Sequence, residues 1–171
     1  CLCDVGYARN ESHCDACQPG KYGVEDRSVG CVDCEAGTYS VSWAATSNET
    51  CVICPLGSTS AAGSVECLCK EGYGSEGGMD CVECSAGTYK DFVGSSGCLA
   101  CPSDSLSPAR SVSILNCSCN AGYERFNESV CDACQPGFYR MEGDQRCLPC
   151  QLGYFSASFS AFSCEACPAD S

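Results

Sequence analysis

Cys14-Asp-Ala-Cys-Gln-Pro-Gly-Lys-Tyr22 returns almost unchanged as Cys131-Asp-Ala-Cys-Gln-Pro-Gly-Phe-Tyr139. Two cysteines spaced by two residues lead into a Gly and an aromatic residue, and a small, polar run then leads to the next cysteine pair. Read outward from this stretch, the whole chain is the same phrase with substitutions. Eight pairs are Cys-x-x-Cys (14/17, 31/34, 51/54, 81/84, 98/101, 131/134, 147/150 and 164/167) and three are Cys-x-Cys (1/3, 67/69 and 117/119). After six of the eight Cys-x-x-Cys a Gly falls three places on, at Gly20, Gly37, Gly57, Gly87, Gly137 and Gly153, with a ring two places later at Tyr22, Tyr39, Tyr89, Tyr139 or Phe155. A Gly at a fixed offset marks a turn that needs positive φ. Each segment therefore reads as a short β-hairpin closed at its base. Asp104 and Asp170 stand where Gly is expected, and Asp tolerates positive φ better than most residues.

Each Cys-x-Cys opens a larger unit. This gives module one over residues 1–66, module two over 67–116 and module three over 117–171, the last shortened. With 22 cysteines in 171 residues, the chain has the composition of a disulfide scaffold. Its apolar residues are too scattered for one hydrophobic core, so small units must rely on covalent staples. The expected fold class is small and disulfide-rich: an elongated tandem array of short β-hairpin modules with little or no helix.

Thiols at this density persist as disulfides only in an oxidising compartment, which places the chain outside the cytosol, secreted or on a cell surface. Four sequons, at Asn10, Asn48, Asn116 and Asn127, agree and mark candidate N-glycan sites. The net charge of −13, with nine basic residues thinly spread, argues against nucleic acid and anionic membranes as partners. No run is long and apolar enough to insert in a membrane. The chain opens at Cys1 without a Met, as expected of a piece of something longer.

Spacing alone does not dictate connectivity. One scheme makes every segment equivalent, joining the second cysteine of each pair to the first of the next. It pairs Cys3–Cys14, Cys17–Cys31, Cys34–Cys51, Cys54–Cys67, Cys69–Cys81, Cys84–Cys98, Cys101–Cys117, Cys119–Cys131, Cys134–Cys147 and Cys150–Cys164, with Cys1 and Cys167 left to partners beyond the two ends. A crossed scheme, Cys14–Cys31 with Cys17–Cys34, stays open.

Cys31 to Ser40, Cys51 to Ser60 and Cys81 to Tyr89 resemble the ephrin-receptor-like cysteine-rich repeat. The Cys67-to-Tyr73 segment is similar to the last loop of an EGF module, and the Gly-x-Tyr segments to the first half-module of tumour-necrosis-factor-receptor repeats. The resemblance implies modules that are not themselves catalytic and that serve as stalks, spacers or ligand-binding ectodomains.

Other chemistries fit less well. Cys14-x-x-Cys17 with Cys31-x-x-Cys34 has zinc-ribbon spacing, but the series is unbroken and interleaved with Cys-x-Cys. No segment has room for the βαβ scaffold of a thiol redox motif. Neither EF-hand spacing nor the acidic motif of calcium-binding EGF modules is present. His13 stands alone. No cofactor, metal or active site is expected, and the chain is not read as an enzyme. The candidate contact residues are apolar: Tyr39, Val41 and Trp43, which alternate with serines at strand period, and Phe155, Phe159 and Phe162 at the equivalent place. Such side chains either cover disulfides or meet a partner, taken to be copies of the chain or other extracellular proteins. The favoured function is a structural stalk or building block of an extracellular fibre or matrix. The alternative is a ligand-binding receptor or adhesin ectodomain.

Overall fold

A computed structural model describes residues 3–25, 30–75, 77, 80–127 and 129–168. Cys1 and Asp170 lie outside the described residues. The chain divides into two compact units, one of residues 1–82 with 92–97 and one of residues 83–91 with 98–171.

Among the described residues there are ten two-stranded sheets, each a hairpin of neighbouring strands. Two short 3-10 turns, Asn48–Thr50 and Ile114–Asn116, are the helical content. The turn glycines take positive φ, including Gly20 at 84°, Gly37 at 85° and Gly137 at 87°, and Asp104 adopts 59° in the same role. The turn survives the Gly-to-Asp exchange because an Asp can occupy the left-handed region.

The residues between paired cysteines are themselves the return strand. Val52–Ile53 lies between Cys51 and Cys54, and Cys31–Asp33 runs straight into Cys34. Pairing is antiparallel, with Lys21 opposite Asp33, Tyr22 opposite Val32 and Gly23 opposite Cys31. Closure therefore differs from the expected base position: Cys31 stands at the loop end of its hairpin, and its bond to Cys17 ties that end to the incoming chain. The same register sets the ring after each turn opposite the residue that follows the first cysteine, as in Tyr39 with Val52, Tyr89 with Leu99 and Tyr139 with Leu148. Aromatic–aliphatic cross-strand pairs of this kind contribute roughly 0.2–1 kcal/mol each.

Ten disulfides, Cys3–Cys14 through Cys150–Cys164, join the second cysteine of one pair to the first of the next, with sequence separations of 11 to 17 residues. Cys167 is a free, exposed thiol. The buried residues are mostly the second cysteines, Cys17, Cys34, Cys69, Cys84 and Cys134 among them, together with Cys117 and a set of serines. Closing a loop of ~15 residues stabilises by about 3 kcal/mol in the chain-entropy model, which matters where apolar burial is slight.

A recurring backbone bond closes the base of each of these hairpins. The second cysteine of a Cys-x-x-Cys donates its N–H to the preceding turn Gly: Cys34 to Gly20 O at 2.8 Å, Cys54 to Gly37 O at 2.9 Å, and Cys134 to Gly122 O at 2.8 Å. In the Cys-x-Cys pairs the bond is made one residue later, by Lys70 to Gly57 O and Asn120 to Asp104 O. There the second cysteine falls inside the strand, in Leu68–Cys69 and Ser118–Cys119. Side chains alternate faces along a strand, so this one-residue retreat sends the sulfur to the opposite face.

Candidate partner-contact surface

Three residues after each turn Gly stands a position that the sequence reading did not single out. It is filled by buried Ser40, Ser60 and Ser156, by Ser107 after Asp104, and by buried Lys90 and Arg140 at two further hairpins. The carbonyl at this position accepts the N–H of the preceding turn glycine, as in Gly20 to Ser40 O at 2.8 Å and Gly87 to Ser107 O at 2.9 Å. Three of the hydroxyls also donate backwards: Ser60 Oγ to Thr38 O (2.7 Å), Ser107 Oγ to Thr88 O (2.9 Å) and Ser156 Oγ to Phe138 O (3.0 Å). A small side chain fits between hairpins, and its hydroxyl satisfies a carbonyl that burial would otherwise strand. The recurrence of Ser at Gly plus three was the available signal.

Above this position the long loop of the following hairpin folds back. Its tip residue donates to the second-cysteine carbonyl: Ala44 to Cys17 O, Gly63 to Cys34 O, Arg110 to Cys84 O and Ser160 to Cys134 O, at 2.7 to 2.9 Å. All four tips have positive φ, at 50° for Ala44, 74° for Gly63, 61° for Arg110 and 59° for Ser160. The backbone of each tip is thus pinned while its side chains face outward. Trp43 immediately precedes the Ala44 tip and is 66% exposed; Phe159 immediately precedes the Ser160 tip and is 65% exposed. At the tips Gly63 and Arg110 the same place is held by Ala62 and Ala109.

The other expected contact residues divide. Val41 and Phe162 are well exposed, Phe155 is at the edge of exposure, and Tyr39 is half-buried opposite Val52. The expected strand period across Tyr39, Val41 and Trp43 is corrected, because the strand ends at Thr38–Tyr39 and the two later residues belong to the loop. Their exposure comes from the pinned tip, not from strand alternation. Asn10, Asn48, Asn116 and Asn127 are all exposed, and the Asn10 amide donates to the Asp15 carboxylate at 2.6 Å. Asn10 and Asn127 end the outgoing strands Tyr7–Asn10 and Tyr123–Asn127 of equivalent hairpins. Asn48 and Asn116 sit in the two 3-10 turns. His13 is exposed and lies 3.3 Å from Asp15. Among the described residues, no three His, Cys, Asp or Glu gather to hold a metal, and no helix is long and apolar enough to cross a membrane.

Residues 71–117 and 137–171 match the family described as tyrosine-protein kinase ephrin type A/B receptor-like. Those two stretches carry ephrin-receptor-like repeats. A relative, the ephrin type-B receptor 2 of Gallus gallus, is 40% identical over 58 residues, which is 33% of this chain and 5% of that protein. The chain thus spans a small fraction of its relative's length. Together with the disulfides, these repeats make it an extracellular or cell-surface segment. The matches carry no positive sign of catalysis within the segment.

Proposed function

We propose that this segment is a covalently stapled, non-catalytic spacer that meets protein partners through its loop tips, in three modules each opened by a Cys-x-Cys. One observation carries the reading. Trp43 and Phe159 occupy equivalent places beside pinned tips, where Ala62 and Ala109 serve the same backbone geometry elsewhere. The fold needs no ring there, and an exposed ring on a fixed backbone contacts a partner at little entropic cost. The similarity to an ephrin type-B receptor favours a receptor ectodomain that captures a separate ligand. The recurrence of the same ring in modules one and three favours a second form of the reading, a fibre or matrix block that contacts copies of itself. Exposed Asn10, Asn48, Asn116 and Asn127 would carry N-glycans in either case.

Sedimentation velocity of the oxidised chain distinguishes the two forms. Concentration-dependent assembly that Trp43→Ala with Phe159→Ala abolishes supports the building block. A monomer whose labelled form binds cell surfaces, with binding lost in the double variant, supports ligand capture. A monomer that binds equally well with and without the two rings overturns the loop-tip reading.

A further inference from the structure

The sequons at Asn116 and Asn127 share a motif, but the fold treats them differently. In Asn116-Cys117-Ser118 the middle residue is bonded to Cys101, 16 positions away, and is 0% exposed. Its N–H donates to Ile114 O at 3.0 Å, and its carbonyl accepts from the Arg125 guanidinium. Ser118, the third residue of the motif, lies in the strand Ser118–Cys119 opposite Leu106. Asn127 stands at the other extreme. It ends the strand Tyr123–Asn127 and faces Val130 across the hairpin, so its motif spans the tip. Its side-chain oxygen accepts the Ser129 N–H at 2.8 Å, which draws the third residue back beside the acceptor amide.

On the reading above that these asparagines carry N-glycans, but independently of the loop tips, we propose that the folded chain accepts a glycan at Asn127 and not at Asn116, whose modification must precede closure of the Cys101–Cys117 bond. In the transfer, the asparagine Nδ2 bonds to the anomeric carbon of a sugar activated as a lipid diphosphate. The anomeric C–O bond breaks, its electron pair leaves on the diphosphate, and the amide proton passes to a base of the transferase. An acceptor of this kind belongs on a surface loop, because the transferase must engage the first and third residues and the backbone between them. At Asn116 that backbone donates and accepts inside the protein, and the Cys117 sulfur is held by Cys101. Releasing it takes both hydrogen bonds and a covalent bond at once. The Asn116 side chain itself is exposed, so a sugar placed earlier leaves Cys117 able to pair and become buried. The occupancy of Asn116 therefore records whether transfer came before or after this hairpin closed, while Asn127 remains an acceptor throughout.

The test incubates the unglycosylated, oxidised chain with a purified oligosaccharyltransferase and its lipid-linked donor, and reads each sequon by peptide mass spectrometry. Asn127 should be modified, with Asn116 at least tenfold lower. In the chain held reduced, Asn116 should rise at least tenfold. Replacing Cys101→Ala together with Cys117→Ala keeps the first and third residues of the motif and removes that one bond, so Asn116 should rise at least tenfold under oxidising conditions while Asn127 is unchanged. Equal occupancy of Asn116 in the oxidised and reduced chain would overturn the proposal, as would an oxidised chain left bare at Asn127 but modified there once reduced. A chain modified at no sequon in either state would overturn the glycan reading as well. The comparison of oxidised with reduced chain decides even where the double variant fails to fold.

Discussion

Replacing Gly20 by Ala should damage the fold far more than replacing Gly37 by Ala, although the two glycines have nearly the same φ, 84° and 85°. A non-glycine residue in the left-handed region costs about 1–2 kcal/mol, and both variants bear that cost. What differs is the space. A Cβ on Gly37 would meet nothing within 4 Å, whereas one on Gly20 would lie 2.1 Å from the Gly63 oxygen and 2.6 Å from its carbonyl carbon. That carbonyl belongs to a pinned loop tip, whose N–H bonds Cys34 O at 2.9 Å, so it cannot retreat without breaking the bond. Forcing extra carbon into a filled site adds about 1–3 kcal/mol. Amide exchange of Gly63 reads both variants, because Cys34 stands between the two turns. With 1.4 kcal/mol per tenfold, Gly37→Ala should speed that exchange about tenfold, and Gly20→Ala about thirtyfold further. Equal acceleration in the two variants would refute the idea that a loop carbonyl occupies the glycine's missing side-chain space. Gly122, whose Cβ would lie 2.2 Å from Ser160 O, offers the same contrast with Gly137 in the second unit.

Other expectations test the remaining parts of the scaffold. Ala44→Gly relieves positive φ at a tip at the expense of a looser unfolded chain, and should stabilise by about 0.5–1 kcal/mol; a lower melting temperature would contradict it. Ser60→Ala removes the bond to Thr38 O and leaves that carbonyl unpaired, a loss of about 1–2 kcal/mol measurable by denaturant unfolding under non-reducing conditions. Peptides from a non-reduced digest should link Cys17 to Cys31 and Cys34 to Cys51, and a peptide joining Cys14 to Cys31 would exclude this connectivity. Excess reductant should abolish the folded circular-dichroism spectrum, since the backbone bonds alone enclose little apolar area.

The hairpin architecture was legible because its determinants are local. A Gly at a fixed distance from a cysteine announces a positive-φ turn, and Gly20, Gly37, Gly57, Gly87 and Gly153 all adopt one. The loop tips were not legible, because nothing in Ala44, Arg110 or Ser160 marks a left-handed residue; each is held there by a bond to a cysteine carbonyl of the preceding segment. For the same reason Trp43 read as part of an alternating strand rather than as the shoulder of a pinned tip. Lys90 and Arg140 were missed because a charged residue gives no sequence sign of burial; both sit three residues after a turn Gly.

The order of the disulfides also has a mechanical consequence. Each bond spans only its own hairpin, with Cα atoms 5.4 to 5.8 Å apart. Tension applied along the oxidised chain therefore runs from bond to bond through the two or three residue steps inside each cysteine pair, and never enters the loops. Since a residue extends at most about 3.6 Å, each hairpin can lengthen to roughly 16 Å and no further. Reduction would hand the load to the loops, whose cysteines are 11 to 17 positions apart in sequence, and release several times that reach. In the oxidised state this is a tether of nearly fixed length, whose slack is held behind sulfur–sulfur bonds.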